Sequence, residues 1–512
     1  MKRLIIVIGV CILAIVLHFR AADAIRDQAR DFDSLDAYVQ EQMDRSSIPG
    51  LSYAVIRAGE IVHMNGFGTA AGDGRQMTPQ TPLYIGSVGK TFTALAIRQL
   101  VDAGKLELNA PVTRYLPDFR LAEQGLSSQI TILDLVEHTS GFGEQAGNDP
   151  AFYDPQSTTQ DLIRRLESYR LDSTVGESFA YSNINYILLG AVIEVVSGLK
   201  YPVYVQEKIF DPLGMDNSYT EEGAAIAGGL SAGYRYFFGA PAAVELDEPQ
   251  GAIAAGFLIS STEDMARYLI AFTEHGRVGE ISVVNPDGKP QPEDQSRTYN
   301  IHWLDQDEVK RPSNTETHSG GWLNYSAGIA FMPGERVGVV VLANSFPAQW
   351  LPVKDGFAIA LDVLRLYTGN LNSPPTIPLT SLYLVVDFIF LAIAGFVMIR
   401  ALTLRNWKHH LERMDRRTRA WLPSILIDFC FPLFVLIGFP GIILASTGNF
   451  NPLWGWNRLT FQVPDVAAAM LVLFTVWFGI GCVKAWIFLA LTRSYRSHEV
   501  MQNQVLESIE HQ

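Results

Sequence analysis

Ser87-Val88-Gly89-Lys90 opens a stretch in which Phe92, Leu95, Ala96, Leu100 and Val101 recur at helical spacing, ending near Gly104. The periodicity predicts a helix that starts at or beside Ser87. Residues three apart share a helix face, so the Lys90 ammonium can reach the Ser87 hydroxyl. A serine hydroxyl needs a base to become a nucleophile. A lysine serves as that base only when burial or a neighbouring charge lowers its pKa. A helix start also offers backbone N–H groups to an oxyanion. Alone the pattern is weak, because Ser-x-x-Lys arises by chance about once or twice in 500 residues. Ser197-Gly198-Leu199-Lys200 repeats it. That copy follows an apolar helical run instead of opening one, and Gly198 reads as a helix stop.

Two further elements carry polar chemistry. Tyr181-Ser182-Asn183 precedes the apolar run Ile184–Val196. A tyrosine beside a lysine can share acid/base work, and an amide can hold a substrate carbonyl or the lysine itself. The alternative is structural, with Asn183 capping the helix and Tyr181 packing. His318-Ser319-Gly320-Gly321 lies just before a late hairpin. Glycines in or beside a strand admit a ligand close to the backbone, so an edge strand here could pair with substrate and donate an N–H to an oxyanion. The alternative is a glycine-rich turn.

Around these elements the chain alternates. Residues near 31–45 repeat apolar positions at helical spacing, through Phe32, Leu35, Tyr38, Val39 and Met43. Leu51–Arg57 and Ile61–Gly68, joined by Ala58-Gly59-Glu60, read as a hairpin. Tyr325–Met332 and Arg336–Ala343, joined by Pro333-Gly334-Glu335, read as a second. An antiparallel sheet built from both ends of one unit, with a helical region inserted between, accounts for this order. Its site belongs at the seam of the two parts, where pockets commonly form.

The 512 residues carry a formal net charge of −14 and 48% apolar side chains, with a mean hydropathy of +0.13. Residues 371–512 hold 11 Lys/Arg against 8 Asp/Glu, which leaves 28 against 45 in residues 1–370. That acidic body argues against a nucleic-acid partner, whose phosphates need a basic face. The three cysteines, Cys11, Cys430 and Cys482, all fall in apolar runs, so neither a disulfide framework nor a cysteine metal site can be drawn.

The apolar excess sits at the two ends. Met1-Lys2-Arg3, an apolar run to Phe19 and Ala22-Asp23-Ala24 give residues 1–24 the pattern of a signal peptide, with an uncleaved anchor as alternative. A body over 25–370 and a linker over 371–380 follow. Runs at about 380–400, 421–446 and 466–491 are each long enough to cross a bilayer as a helix, giving three spans within 381–495 and a tail over 496–512. Arg400, Arg405, Lys408, Arg413, Arg416, Arg417 and Arg419 cluster between the first two runs. The positive-inside rule makes that loop cytoplasmic and puts the body outside. Asp387, Asp428 and Lys484 lie toward the ends of their runs, which suits snorkelling or helix pairing better than a transport path.

Taken together, Ser-x-x-Lys, Tyr-x-Asn and His-x-Gly in this order resemble the serine beta-lactamase and penicillin-binding-protein superfamily. The branch that looks closer is class C-like, peptidase family S12. Leu135-Val136-Glu137-His138-Thr139-Ser140-Gly141, Pro212-Leu213-Gly214-Met215 and Ala255-Gly256-Phe257 also look like that branch. The resemblance covers about 30–370. It implies an α/β (α+β) domain, an antiparallel sheet flanked by helices plus a helical subdomain. Ser87 would be the acylated nucleophile, and Lys90 and Tyr181 would share acid/base duty. Asn183, His318, Ser319 and Gly320 would meet substrate, and the N–H groups of Ser87 and Gly321 would form the oxyanion hole. No metal or organic cofactor is implied. The partners would be a small peptide or amide, acylated or not, and the lipid bilayer.

One departure matters. Relatives that act on beta-lactams usually carry Lys where this chain has His318. A histidine, with a reference pKa near ~6.5, is mostly neutral at pH 7, and this favours a peptidase, amidase or esterase. The signal, body and spans also look like the plan of prodrug-activating peptidases such as the colibactin-maturation peptidase. That resemblance implies a bacterial inner-membrane protein with a periplasmic catalytic domain that removes an N-acyl-D-amino-acid cap. A beta-lactamase or cell-wall D,D-peptidase in the same fold and a non-catalytic membrane sensor are the competing expectations.

Overall fold

In the computed structural model, the residues described are 32–147, 149–271, 277–278, 281–282, 315–347, 352–369, 376–413, 422–445, 456, 460 and 463–510. The expected signal peptide, residues 1–24, lies outside them. The chain divides into two compact units, Met1–Arg235 with Pro241–Leu379 and Tyr236–Ala240 with Thr380–Gln512.

The first unit is built on a five-stranded sheet. Its strands are β1 (Gly50–Arg57), β2 (Glu60–Gly68), β3 (Glu316–Trp322), β4 (Tyr325–Met332) and β5 (Val337–Ala343), in the order β2-β1-β5-β4-β3. Both expected hairpins form, and β1 pairs antiparallel with β5 in the register Leu51↔Ala343 to Arg57↔Val337. The two ends of the unit therefore meet at the centre of the sheet. β5 is buried along its whole length, which its run of valines anticipates. Alternation divides its side chains: Val339 and Val341 enter one core, Val340 and Leu342 the other.

Helices cover both faces. α1 (Phe32–Arg45) lays Leu35, Val39 and Met43 against Leu51, Tyr53 and Val55. On the opposite face lies the insertion, whose main helices are α2 (Gly89–Asp102) and α3 (Asn183–Ser197). α3 has an almost entirely buried run from Ile184 to Ile193, so its apolar character reflects the protein core. α4 (Gly356–Tyr367) returns to the first face and contributes Ile359, Val363 and Leu364. The backbones of α4 and β4 approach so closely that a Cβ on Gly328 would collide with Phe357. β3 forms one edge of the sheet, so the His318 segment is an edge strand and not a turn.

In the second unit all three apolar runs become helices: α5 (Leu379–Arg413), α6 (Leu422–Ala445) and α7 (Pro464–Glu510). Two stretches, Leu379–Leu411 and Pro464–Leu491, are long and apolar enough to cross a membrane. In the middle helix the shorter apolar piece is Leu426–Ile437. The expectation of three spans is thus met by two of the described helices. Asp428 is fully buried and accepts from Arg400 Nε at 2.7 Å, Lys484 Nζ at 2.6 Å and Trp477 Nε1 at 3.0 Å. For Asp428 and Lys484, of the expected options, helix pairing is what forms.

Candidate active site

The segment before α2 makes a single 3-10 turn, Gly86–Val88, that runs directly into the helix. Gly86 has φ +55°, and a Cβ there would collide with the backbone nitrogen of Gly321. A Cβ on Gly320 would strike the Ile85 carbonyl oxygen. Two glycines thus let the helix start press against the edge strand β3, and this brings the backbone on either side of Ser87 and Gly321 together. That is the geometry an oxyanion hole needs, with N–H groups from a helix start and a strand edge. A third glycine, Gly256 at φ +159°, closes the same corner: a Cβ there would lie 3.5 Å from Ser87 N.

Lys90 is the second residue of α2 and is buried to 1% exposure. Its Nζ lies 3.2 Å from Ser87 Oγ and 2.7 Å from Asn183 Oδ1, and it also donates to the Ala255 carbonyl. It faces the rings of Tyr181 and Tyr186 at 5.0 and 5.6 Å. Among the described residues none of its hydrogen-bond partners is a carboxylate. Burial holds the ammonium pKa well below the ordinary lysine range. A neutral amine has two N–H donors and one lone pair. Asn183 and Ala255 can take the donors, which leaves the lone pair for Ser87.

Ser87 Oγ is also 2.7 Å from Tyr181 Oη. Burial raises the Tyr181 phenol pKa, and its hydrogen bond with Ser87 partly opposes this, so the phenol is protonated at neutral pH. Ser87, Lys90, Tyr181 and Asn183 therefore form one connected group. Such a group can take a proton from a serine hydroxyl and return one to a departing atom.

Asn183 does not cap α3. Ser182 holds the N-cap position, and its side chain makes no capping bond. Asn183 Oδ1 orients Lys90, while its Nδ2 donates to Tyr153 Oη at 2.5 Å and to the Gly147 carbonyl at 3.3 Å. The decoy pair stands apart. Ser197 ends α3, Gly198 takes φ +76°, and Lys200 is exposed beside Glu194.

On β3, His318, Gly320 and Trp322 share one face by strand alternation, and Ser319 and Gly321 the other. His318 is 1% exposed, with Nδ1 2.9 Å from the Ser319 carbonyl oxygen. Its imidazole is not presented to solvent as a lysine ammonium would be.

His138 was visible in the sequence only as part of a familiar segment, without a task. In the structure its Nδ1 accepts from Ser182 N–H at 3.1 Å and faces Asn185 Nδ2 at 2.9 Å. Its ring lies 4.8 Å from that of Tyr181. Ser140 Oγ donates to Asn185 Oδ1 at 2.6 Å. The His138–Ser140 turn thus fixes the loop that presents Tyr181 and Asn183. Tyr153 was missed as well, because it lies in no recognisable spacing, and Ala255 stood in a familiar segment without a task.

Comparison with known proteins places the fold in a family. A family profile described as Beta-lactamase matches residues 35–364. Protein flp of Staphylococcus aureus is 25% identical over 460 residues, covering 86% of this chain and 89% of that protein. Unguisins hydrolase ungD' of Aspergillus campestris is 29% identical over 327 residues, 60% of each. The octameric penicillin-binding protein homologue from Pyrococcus abyssi superposes with a TM-score of 0.55 at 28% identity, over 70% of this chain and 81% of that one. A class C beta-lactamase shares the fold at 20% identity and a TM-score of 0.51, over 68% and 97%. The chain belongs to the beta-lactamase family of hydrolases, in the fold shared with penicillin-binding proteins.

Proposed function

We propose that this protein is a serine hydrolase acting on an amide or peptide bond through an acyl-enzyme, with Ser87 as nucleophile. The observation that carries the reading is the buried Lys90, held against Ser87 by neutral partners. In the first step Ser87 Oγ attacks the carbonyl and its proton passes to Lys90 Nζ. The N–H groups of Ser87 and Gly321 stabilise the oxyanion. Collapse breaks the bond to the leaving nitrogen, which takes a proton relayed through Tyr181. Water then enters by the reverse path: its oxygen bonds to the acyl carbon, its proton passes to the same group, and as the Ser87 ester breaks that proton returns to Ser87 Oγ.

An S12-like peptidase or amidase is preferred to a beta-lactamase. His318 replaces a permanent cation and is buried, so a substrate carboxylate finds no lysine there. The relative named as an unguisins hydrolase favours the same side. The two membrane-length helices and the basic segment 400–419 support a tether with the body outside the cytoplasm. Removal of an N-acyl-amino-acid cap is the specific substrate reading that this plan favours.

The test is labelling by a fluorophosphonate probe, with nitrocefin and N-acyl-peptide turnover in parallel. Wild type should label and cleave the amide, and Ser87→Ala should do neither. Full labelling of Ser87→Ala removes the assignment, and efficient nitrocefin hydrolysis moves it to the beta-lactamase side.

A further inference from the structure

Three aromatic side chains converge beside the nucleophile, each from a different element of the site. Trp322 follows Gly321 on the edge strand and shares the face of Gly320, the face pressed against the turn that carries Ser87. Phe257 follows Gly256 and is two residues from Ala255, whose carbonyl accepts from Lys90. Tyr153 accepts from Asn183 Nδ2 through its hydroxyl. The rings touch: Phe257 and Trp322 meet edge to face at 4.7 Å, Tyr153 lies 5.6 Å from Trp322, and Phe257 lies 6.1 Å from Tyr153. Phe257 is buried, while Tyr153 and Trp322 keep part of their surface open.

Two polar groups that could grip a substrate on this side are withdrawn from it. Both N–H groups of the Asn183 amide are taken, by Tyr153 and Gly147, and His318 is buried. What remains for a substrate chain lying along β3 past Gly321 is ring surface. Aromatic faces reward apolar and aromatic groups through buried area and through stacking geometry.

We propose that Tyr153, Phe257 and Trp322 form a subsite that selects acyl donors carrying an aryl or bulky apolar group on the carbonyl side. The proposal rests on the serine-hydrolase reading and names its substrate class. In an N-acylated cap, the apolar acyl group would occupy it.

The test uses the full-length protein in detergent and two activated esters, p-nitrophenyl phenylacetate and p-nitrophenyl acetate. The readout is the ratio of their kcat/KM values, with fluorophosphonate labelling at Ser87 as a separate check of the nucleophile. Wild type should prefer the phenylacetyl ester, and Trp322→Ala should lower the ratio by about tenfold or more. Trp322→Phe, which keeps an aromatic face, should retain most of it and guards against a variant that has merely lost its fold. An unchanged ratio in Trp322→Ala overturns the subsite, as does an equal loss for both esters in a variant that still labels. Absence of labelling and of ester turnover in wild type would instead remove the hydrolase reading beneath it.

Discussion

Three lysines are buried among the described residues, and two of them, Lys90 and Lys484, are almost wholly enclosed. Their surroundings are opposite. Lys484 in the helical unit holds Asp428 at 2.6 Å, and Arg400 binds the same carboxylate. Lys354, the third, is likewise paired, with Asp362 at 2.6 Å. Lys90 meets a hydroxyl, an amide oxygen and a backbone carbonyl. Burying a charge is costly unless it is paired. A paired lysine is held by the opposite charge of its partner and ties elements together. One surrounded by neutral acceptors has nothing to offset its burial, which lowers its pKa and favours the neutral amine a base must be. Burial alone does not distinguish structure from chemistry, whereas the formal charge of the partner does.

The sharpest way to break this comparison is to remove each charge. Lys90→Met should lower kcat/KM by on the order of 10⁴-fold or more, as loss of a catalytic base in a cooperating set does. Its thermal stability should be unchanged or higher, because an uncompensated buried amine is replaced by an apolar chain of similar length. Lys200→Ala, at the decoy, should leave turnover within about twofold, since exposed pairs contribute little. Steady-state kinetics and thermal unfolding measure both. A Lys90→Met enzyme that stays active would end the base assignment.

The converse applies to the helices. Asp428→Ala leaves Arg400 and Lys484 facing each other without an anion and should destabilise the helical unit by about 3–5 kcal/mol. Thermal unfolding in detergent reads this. A small effect there would show that Asp428 is not what holds α5, α6 and α7 together.

The smallest effect concerns pH. Because burial lowers the Lys90 pKa, the folded state releases this proton at a pH where the unfolded chain still holds it. Between the lowered folded value and the unfolded value of ~10.4, the unfolded state binds more protons. Stability from this group therefore rises with pH, by at most about 1.4 kcal/mol per pH unit. Activity should rise through the lower end of the same window as the amine becomes neutral. Subtracting the pH–stability curve of Lys90→Met from that of wild type isolates the contribution. A flat difference would mean that Lys90 stays charged.

Much of this was legible before the structure, and the parts that were not have a common cause. The hairpins announced themselves because each joins two short apolar runs through residues that β-turns need. The Ser87 helix start was legible from the stripe beneath it. The partnership of Lys90 with Asn183 was not, since local chemistry offers Asn183 an equally good career as a helix cap. The decision comes from α2, 93 positions away in the sequence. His138, Tyr153 and the Ala255 carbonyl act through long-range hydrogen bonds, which leave no periodicity. A histidine beside glycines reads as a turn or as a strand until the neighbouring strand β4 is known. In the middle apolar run composition predicts a helix, and a helix forms, with Leu426–Ile437 as its apolar piece among the described residues.

The meeting of β1 and β5 at the centre of the sheet has a consequence for how the chain acquires its shape. The Gly50 N–H donates to Asn344 Oδ1, 294 positions away, and every rung between β1 and β5 spans a comparable separation. Local contacts can form early, whereas this seam waits for almost the whole first unit to be synthesised. Contacts of such high order fold slowly, because the loop they close is ordered before it is rewarded. Until β5 arrives, the first hairpin presents an unpaired edge that invites association with other chains. The same arrangement keeps the catalytic corner unassembled through most of biosynthesis, because β3, which carries Gly321, belongs to the part of the sheet that is made last.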